Sequence, residues 1–266
     1  MISEGVRNHI MKIAGKRHKG LLAQKEMAER YFQYLEDLID ASSKVDKRYY
    51  TINDYSNFDP EEIERYYERM YAYELYHQLR LIIGERDKEI ERYKNVILNG
   101  EMQKSFYLYK YLTLGKNNSN KTQALEVSPE LSRLIDKCFG PKDRLIPDLI
   151  LHEKDSVDEQ VYLVEIKMGN NPNYLEDFEK LTNFKICLEK FVKESKGKHN
   201  PSFHLYIFLY EDDLEKKMEC SSKIQSIKKD IDGSIICCYR KNNERYCCRT
   251  FDELMEIVNK RKSKKS

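Results

Sequence analysis

Apolar positions along the chain change period several times, and each change marks an element. From Gly20 to Ser42 they recur at helical spacing, which predicts a long helix. A basic stretch with Arg7, Lys12, Lys16, Arg17 and Lys19 precedes it, and a polar loop from Lys44 to Asn57 follows. Residues 1–58 therefore read as an N-terminal helical extension, either packed on the main domain or offered to a partner. A second helix starts at Phe58-Asp59-Pro60. Asp59 suits the N-cap, Pro60 the first helical position and Glu62 a capping-box acid. Gly84 is the expected C-terminal stop. Ile63, Tyr67, Met70, Glu74, His77 and Leu81 share one helical face, so this face is expected to press against the remaining structure.

After Lys94 the period shortens. Residues 95–104 and 105–114 look strand-like, and residues 115–123 form a polar loop. Residues 145–168 hold two apolar strands around a polar turn. A helical pattern then runs from Asn173 to near Gly197, followed by the strongly apolar strand Ser202–Tyr210, suited to the middle of a sheet. A hairpin around Asn242-Asn243, a helix from Phe251 and a basic tail close the chain. Helix, strands, helix and strand predict an α/β fold with a mixed β-sheet flanked by helices. Three regions follow: 1–58, a core of 59–210, and a hairpin-helix extension with basic tail at 211–266.

Composition adds exclusions. The formal net charge of +2 rules out a histone-like polycation, though a local basic groove remains compatible with it. Charged residues reach 35%, so a highly solvated, helix-rich surface is expected, while 40% apolar content still suffices for a core. No apolar run is long enough to span a membrane, and the first residues lack a signal-peptide pattern. Seven cysteines without a regular framework fit a reducing compartment, so a cytoplasmic location is expected.

The central strand pair carries the candidate chemistry. Centring its turn on Ser156 and Val157 sets Asp148 opposite Glu165, with Lys167 on the same face two residues on. Adjacent carboxylates repel and favour a cation between them. Oxygen ligands at this spacing suit Mg²⁺ or Mn²⁺, which polarises a phosphoryl oxygen and lowers the pKa of bound water. A nearby ammonium orients that water or stabilises charge in the transition state. The trio suits phosphodiester hydrolysis.

At Pro147-Asp148 and Glu165-Ile166-Lys167 the chain resembles the PD-(D/E)XK nuclease superfamily, over roughly residues 60–210. The resemblance implies a restriction-endonuclease-like core and a metal-dependent nuclease, with DNA the expected substrate. It implies that Asp148 and Glu165 bind the metal, that the Ile166 carbonyl joins them, and that Lys167 serves the attacking water. Family members commonly carry a glutamate on a helix before the sheet. Glu74 is the candidate for that role, with Glu101 a lower-ranked alternative and His77 a neighbour of the site. Asp177 and Lys180, on the helix after the E-x-K strand, are candidates for phosphate contact or support of the metal ligands. Their alternative is an ordinary solvated helical pair. A homodimer is compatible with this reading. Two rivals remain open: an inactive nuclease-fold module that binds nucleic acid or protein, and a helical interaction protein.

Other signals are weaker. Gly115–Thr122 lacks the second glycine of a phosphate-binding loop, and no clear helix is expected after it. Glu74-x-x-His77 lacks the second copy that a di-iron site needs. A two-residue turn at Asn242-Asn243 sets Cys237 opposite Cys248 and Cys238 opposite Cys247, splitting the thiols between two sheet faces. Buried apolar roles are expected for them rather than a zinc site. The basic groups at the N-terminus, around Lys180–Lys198 and in the tail are expected phosphate contacts, with the tail itself disordered.

Overall fold

The computed structural model describes residues 1–17, 20–46, 48, 60–100, 128–139, 147–153, 160–168, 174–194, 203–221, 223–224, 228–241 and 245–265. The N-terminal region contains two helices, α1 (Glu4–Arg17) and α2 (Leu21–Lys44), rather than one long helix after a basic lead. Gly20 sits at the break with φ 123°, a conformation that side chains with a Cβ rarely adopt. Helix α3 (Pro60–Glu89) runs through Gly84 instead of stopping there. Ile82 is buried before that glycine, and beyond it Arg86 donates to Asp37 on α2 at 3.2 Å. Those contacts offset the roughly 1 kcal/mol that a mid-helix glycine costs.

Six strands form one sheet in sequence order: β1 (Val96–Gly100), β2 (Leu149–Glu153), β3 (Gln160–Lys167), β4 (Phe203–Tyr210), β5 (Ile236–Lys241) and β6 (Arg245–Thr250). β1, β2 and β3 are antiparallel neighbours, β4 runs parallel to both β3 and β5, and β6 returns antiparallel. The sheet is therefore mixed, as expected. Every residue of β4 is buried, which fits its central place. The strand reading of 101–114, the loop at 115–123 and Glu101 lie outside the described residues.

Helix α4 (Pro129–Phe139) was not expected from the sequence. Its signal is Ser128-Pro129-Glu130. The Ser128 hydroxyl accepts from the Leu131 amide at 3.1 Å, and Glu194 in turn accepts from the Ser128 amide and hydroxyl. Helix α5 (Tyr174–Glu194) crosses from β3 to β4. A short helix, α6 (Leu214–Cys220), follows β4 with Asp213 as its N-cap. Helix α7 (Phe251–Lys265) extends through the basic tail, so the expected disorder is not seen there. Lys262 donates to the Ser221 carbonyl at 3.0 Å.

The sheet separates two cores. Tyr71, Leu75 and Leu79 of α3, with α1 and α2, cover Leu149, Val164, Ile166 and Ile207 on one face. Phe178, Leu181 and Leu188 of α5, with α6 and α7, cover Leu163, Phe208 and Tyr239 on the other. The rings of Phe178 and Phe208 pack at a tilt, with centroids 4.3 Å apart. The chain start closes one edge of the sheet. Ile2 forms a parallel bridge with Cys248, the Ser3 amide donates to the Cys248 carbonyl and the Cys248 amide to the Met1 carbonyl, both at 2.9 Å.

The cysteine pairing shifts by one place. Cys238 lies opposite Cys248, while Cys237 faces Arg249 and Cys247 faces Tyr239. The connection between paired Lys241 and Arg245 is one residue longer than an Asn-Asn turn, and an odd connection moves the register by one. The thiols still divide two and two between the faces, but Cys238 shares its face with Cys248, and Cys237 shares the other with Cys247. Among the described residues no helix is long and apolar enough to cross a membrane.

Candidate active site

The site gathers at the carboxyl end of β3. Leu149 pairs with Val164, Ile150 with Leu163 and Leu151 with Tyr162. The next position inward from Leu149 and outward along β3 is Asp148 against Glu165, as the turn symmetry predicts. The register shifts only between Leu151 and His152, on the turn side, so the bulge leaves the site end untouched. Asp148 lies just before β2, and its Oδ2 accepts from the Ile166 amide at 2.6 Å. That bond fixes the Asp148 carboxylate against β3 beside Glu165.

Alternation places Glu165 and Lys167 on the α5 side of the sheet. Lys167 lies where both helical layers reach the sheet end. Its ammonium donates to Glu68 Oε2 of α3 at 3.0 Å and lies 3.4 Å from Asp177 Oδ2 of α5. Asp177 also accepts from Lys180, one turn further along α5, at 2.7 Å. The Asp177–Lys180 pair has helical i,i+3 spacing, but Asp177 is only 1% exposed, so it is not a solvated surface pair. Asp177 Oδ2 is buried, and among the described residues the Lys167 ammonium at 3.4 Å is its contact rather than a hydrogen-bond donor.

Among the described residues, Glu68, Asp148, Glu165 and Asp177 bring four carboxylates to this spot, and Lys167 and Lys180 bring two ammonium groups. Burial, then the neighbouring charges of Asp148 and Asp177, pushes the Glu165 carboxyl well above the usual carboxylate range. For Lys167, burial acts downward but is outweighed by Asp177 and Glu68, which hold the ammonium above its ordinary value. Lys180 moves up as well: burial opposes the charged form, while Asp177 and Glu165 favour it more strongly.

Glu74 is not brought to this cluster. It is half-buried and accepts from Gln78 of its own helix at 2.7 Å. His77 is exposed and Leu81 is 52% exposed, so the expected contact face of α3 is rotated. The buried stripe runs instead through Tyr71, Leu75, Leu79 and Ile82. Tyr71 sets the rotation: its hydroxyl meets that of Tyr246 at 2.7 Å, and Tyr246 donates to Glu211. Glu68 lies one turn before Tyr71 on this stripe, which was its available sequence signal. Side chains 61–66, including Ile63, lie outside the described set.

Among the described residues, no group of three or more His, Cys, Asp or Glu is placed to hold a metal ion. Compared with protein-family models, curated proteins and solved structures, the chain finds no match in any of the three.

Proposed function

We propose that the chain is a metal-dependent hydrolase of nucleic-acid phosphodiester bonds, built on a restriction-endonuclease-like core of the PD-(D/E)XK kind. DNA is the favoured substrate. The observation that carries the reading is Asp148 held against β3 beside Glu165, with Lys167 two residues on at the same sheet end. The helix, strands, helix and strand order of the sheet supports it.

The donor set fits a hard divalent ion such as Mg²⁺ or Mn²⁺ in its charge and chemistry. Among the described residues carboxylates outnumber ammonium groups, and burial, then its carboxylate neighbours, disfavours the Glu165 carboxyl as an anion. Asp148 and Glu165 would hold the ion, and the resemblance adds the Ile166 carbonyl. When bound, such an ion polarises the phosphoryl group and acidifies a water. Lys167, kept charged by Asp177 and Glu68, then serves as a fixed cation facing the developing phosphoryl charge rather than as a proton acceptor. Glu68 takes the helix-borne place expected for Glu74.

A second reading, a module that binds nucleic acid or protein without cleaving it, draws on the same ion pairs. Glu68 and Asp177 already occupy Lys167. Cleavage of plasmid and single-stranded substrates with and without Mg²⁺, combined with calorimetry on Asp148→Asn, separates the two. Hydrolysis requires Mg²⁺-dependent product, with metal affinity and rate both lowered in the variant. Metal affinity unaltered by Asp148→Asn removes the shared ion.

A further inference from the structure

Charge around α6 is answered inside the chain. Glu215 has 0% exposure. It accepts from the Tyr239 hydroxyl at 2.6 Å and from Arg261 of α7, with Lys241 at 3.5 Å and Arg249 at 3.7 Å. The outward side of α3 is different. The inward stripe of this helix, Tyr71, Leu75, Leu79 and Ile82, is spent on the core. On the opposite side Arg69, Tyr73, His77, Leu81 and Glu85 recur every four residues, and all five are exposed. Tyr73 and Leu81 are 60% and 52% exposed, large apolar groups left in water. Among the described residues, no acid pairs with Arg69, nor with Arg80 beside this row. Glu85 meets only Lys88 of its own helix, at 3.2 Å through Oε1, on an open surface. A row at i, i+4 spacing is one of the ridges by which helices pack on one another.

This ridge is complementary to itself. A cation, Arg69, stands at one end, a carboxylate, Glu85, at the other, and His77 at the centre. The ridge runs about 24 Å along the helix. Turned end for end onto a second copy, with His77 on the two-fold axis, Arg69 of each copy comes opposite Glu85 of the other, and Tyr73 opposite Leu81. The same operation sets Arg80 opposite Glu74. Every contact then occurs twice, as an isologous interface requires. Opposite charges meet at both rims and apolar groups meet between them, the usual anatomy of a contact between proteins. A crossing angle of about 50° lays such ridges side by side. Gly84 comes opposite the half-buried Met70. It is exposed, and nothing stands within 4 Å of where its Cβ would be, so on this face it leaves room for the methionine of the other copy.

We propose that the outward face of α3 is the interface of a two-fold symmetric dimer, and that its occupant is the same face of a second copy of this chain. The self-matching order of charges along the ridge carries the proposal, and it stands whether or not the chain is a hydrolase. A polyanion is a poorer occupant, because Glu74 and Glu85 share the face with Arg69 and Arg80. One helix laid on its copy falls at the small end of interface sizes, so the association is reversible and depends on concentration.

The test is sedimentation equilibrium on the full chain from about 1 to 100 μM. The average mass should climb from that of one chain toward that of two. Leu81→Glu, at an exposed position, should raise the dissociation constant at least about tenfold without lowering the melting temperature. Arg69→Glu should raise it about tenfold, because it sets acid against acid at both rims. Adding Glu85→Arg to that variant should bring the constant back to within about threefold of the original, because reversal of both ends restores the match. Ile186→Glu, at an exposed apolar position on α5, should change nothing. A single-chain mass at every concentration overturns the proposal, as does unchanged association of Leu81→Glu. A double reversal that stays as weak as Arg69→Glu also overturns it. If the chain sediments as a monomer and Leu81→Glu loses affinity for a fluorescein-labelled duplex, the face belongs to nucleic acid and the dimer is refuted.

Discussion

Two charged clusters share one end of the sheet and solve opposite problems. Around Lys167, acids outnumber bases among the described residues, and the buried Asp177 Oδ2 meets the Lys167 ammonium only at 3.4 Å. Around Glu215, bases outnumber acids, and the buried carboxylate is saturated by Tyr239 and Arg261. A buried carboxylate surrounded by donors is a structural anchor. Carboxylates crowded together beside a buried one disfavour each other's charge, a condition common at working sites. Both clusters are assembled from both sheet and helix, so similar scaffolding supports unlike chemistry.

The sharpest way to break this contrast is to remove one centre at a time. Lys167→Ala should reduce single-turnover cleavage by about 100-fold or more, the scale set by losing one fixed charge-stabilising group. It should also lower the melting temperature, because Asp177 would keep only Lys180. Unchanged cleavage would remove Lys167 from the chemistry and leave both clusters structural. Glu215→Ala should act on stability instead, by about 3–5 kcal/mol in urea unfolding, since three cations lose their shared partner.

A finer division lies within α3. Glu68→Gln should slow cleavage by about tenfold, because it frees one side of Lys167. Glu74→Gln should leave rate and fold unchanged, since its carboxylate serves only Gln78 among the contacts described. Equal effects from both would mean that α3 contributes through its packing alone.

The smallest effect is in pH dependence, where two groups pull in opposite directions. Burial, then Lys185, lowers His9 from 6.5 to about 4. The unfolded chain protonates first as pH falls below 6.5, so His9 removes stability between 6.5 and about 4. Glu165 has the reverse sign. Its folded state holds the proton more tightly, so stability is greatest on the acid side and falls as pH rises from 4.5 toward its raised value. His9→Gln should therefore flatten the acid-side loss in thermal melts and leave the slope set by the carboxylate cluster. Identical pH profiles for both proteins would place His9 in solvent.

The residues that sequence could and could not place divide by distance along the chain. Asp148 and Glu165 were legible because one short hairpin joins them and alternation fixes their face. The cysteine ladder failed on the same logic, since a connection longer by one residue shifts every pairing by one place. Helix α3 carries tyrosines at 66, 67, 71, 73 and 76, which surround its axis. No stripe stands out locally, and the partner hydroxyl of Tyr246 selects the buried one. The Glu215 cluster was beyond reach for a related reason. Its cations come from β5, β6 and α7, and each alone looks like an ordinary surface charge. Ser128-Pro129, by contrast, was a local helix start that the polar sequence before it obscured.

The bridge between Ile2 and Cys248 has a consequence for how the chain acquires its shape. The Met1 nitrogen meets the Tyr246 carbonyl across 245 positions of sequence. Contacts so remote carry the full entropy of closing a long loop, so they form late. At synthesis rates of about 5–20 residues per second, the opening residues wait on the order of ten seconds or more for β6 to emerge. During that interval α1 packs chiefly on α2, and β6 then brings Met1, Ile2 and Ser3 to rest.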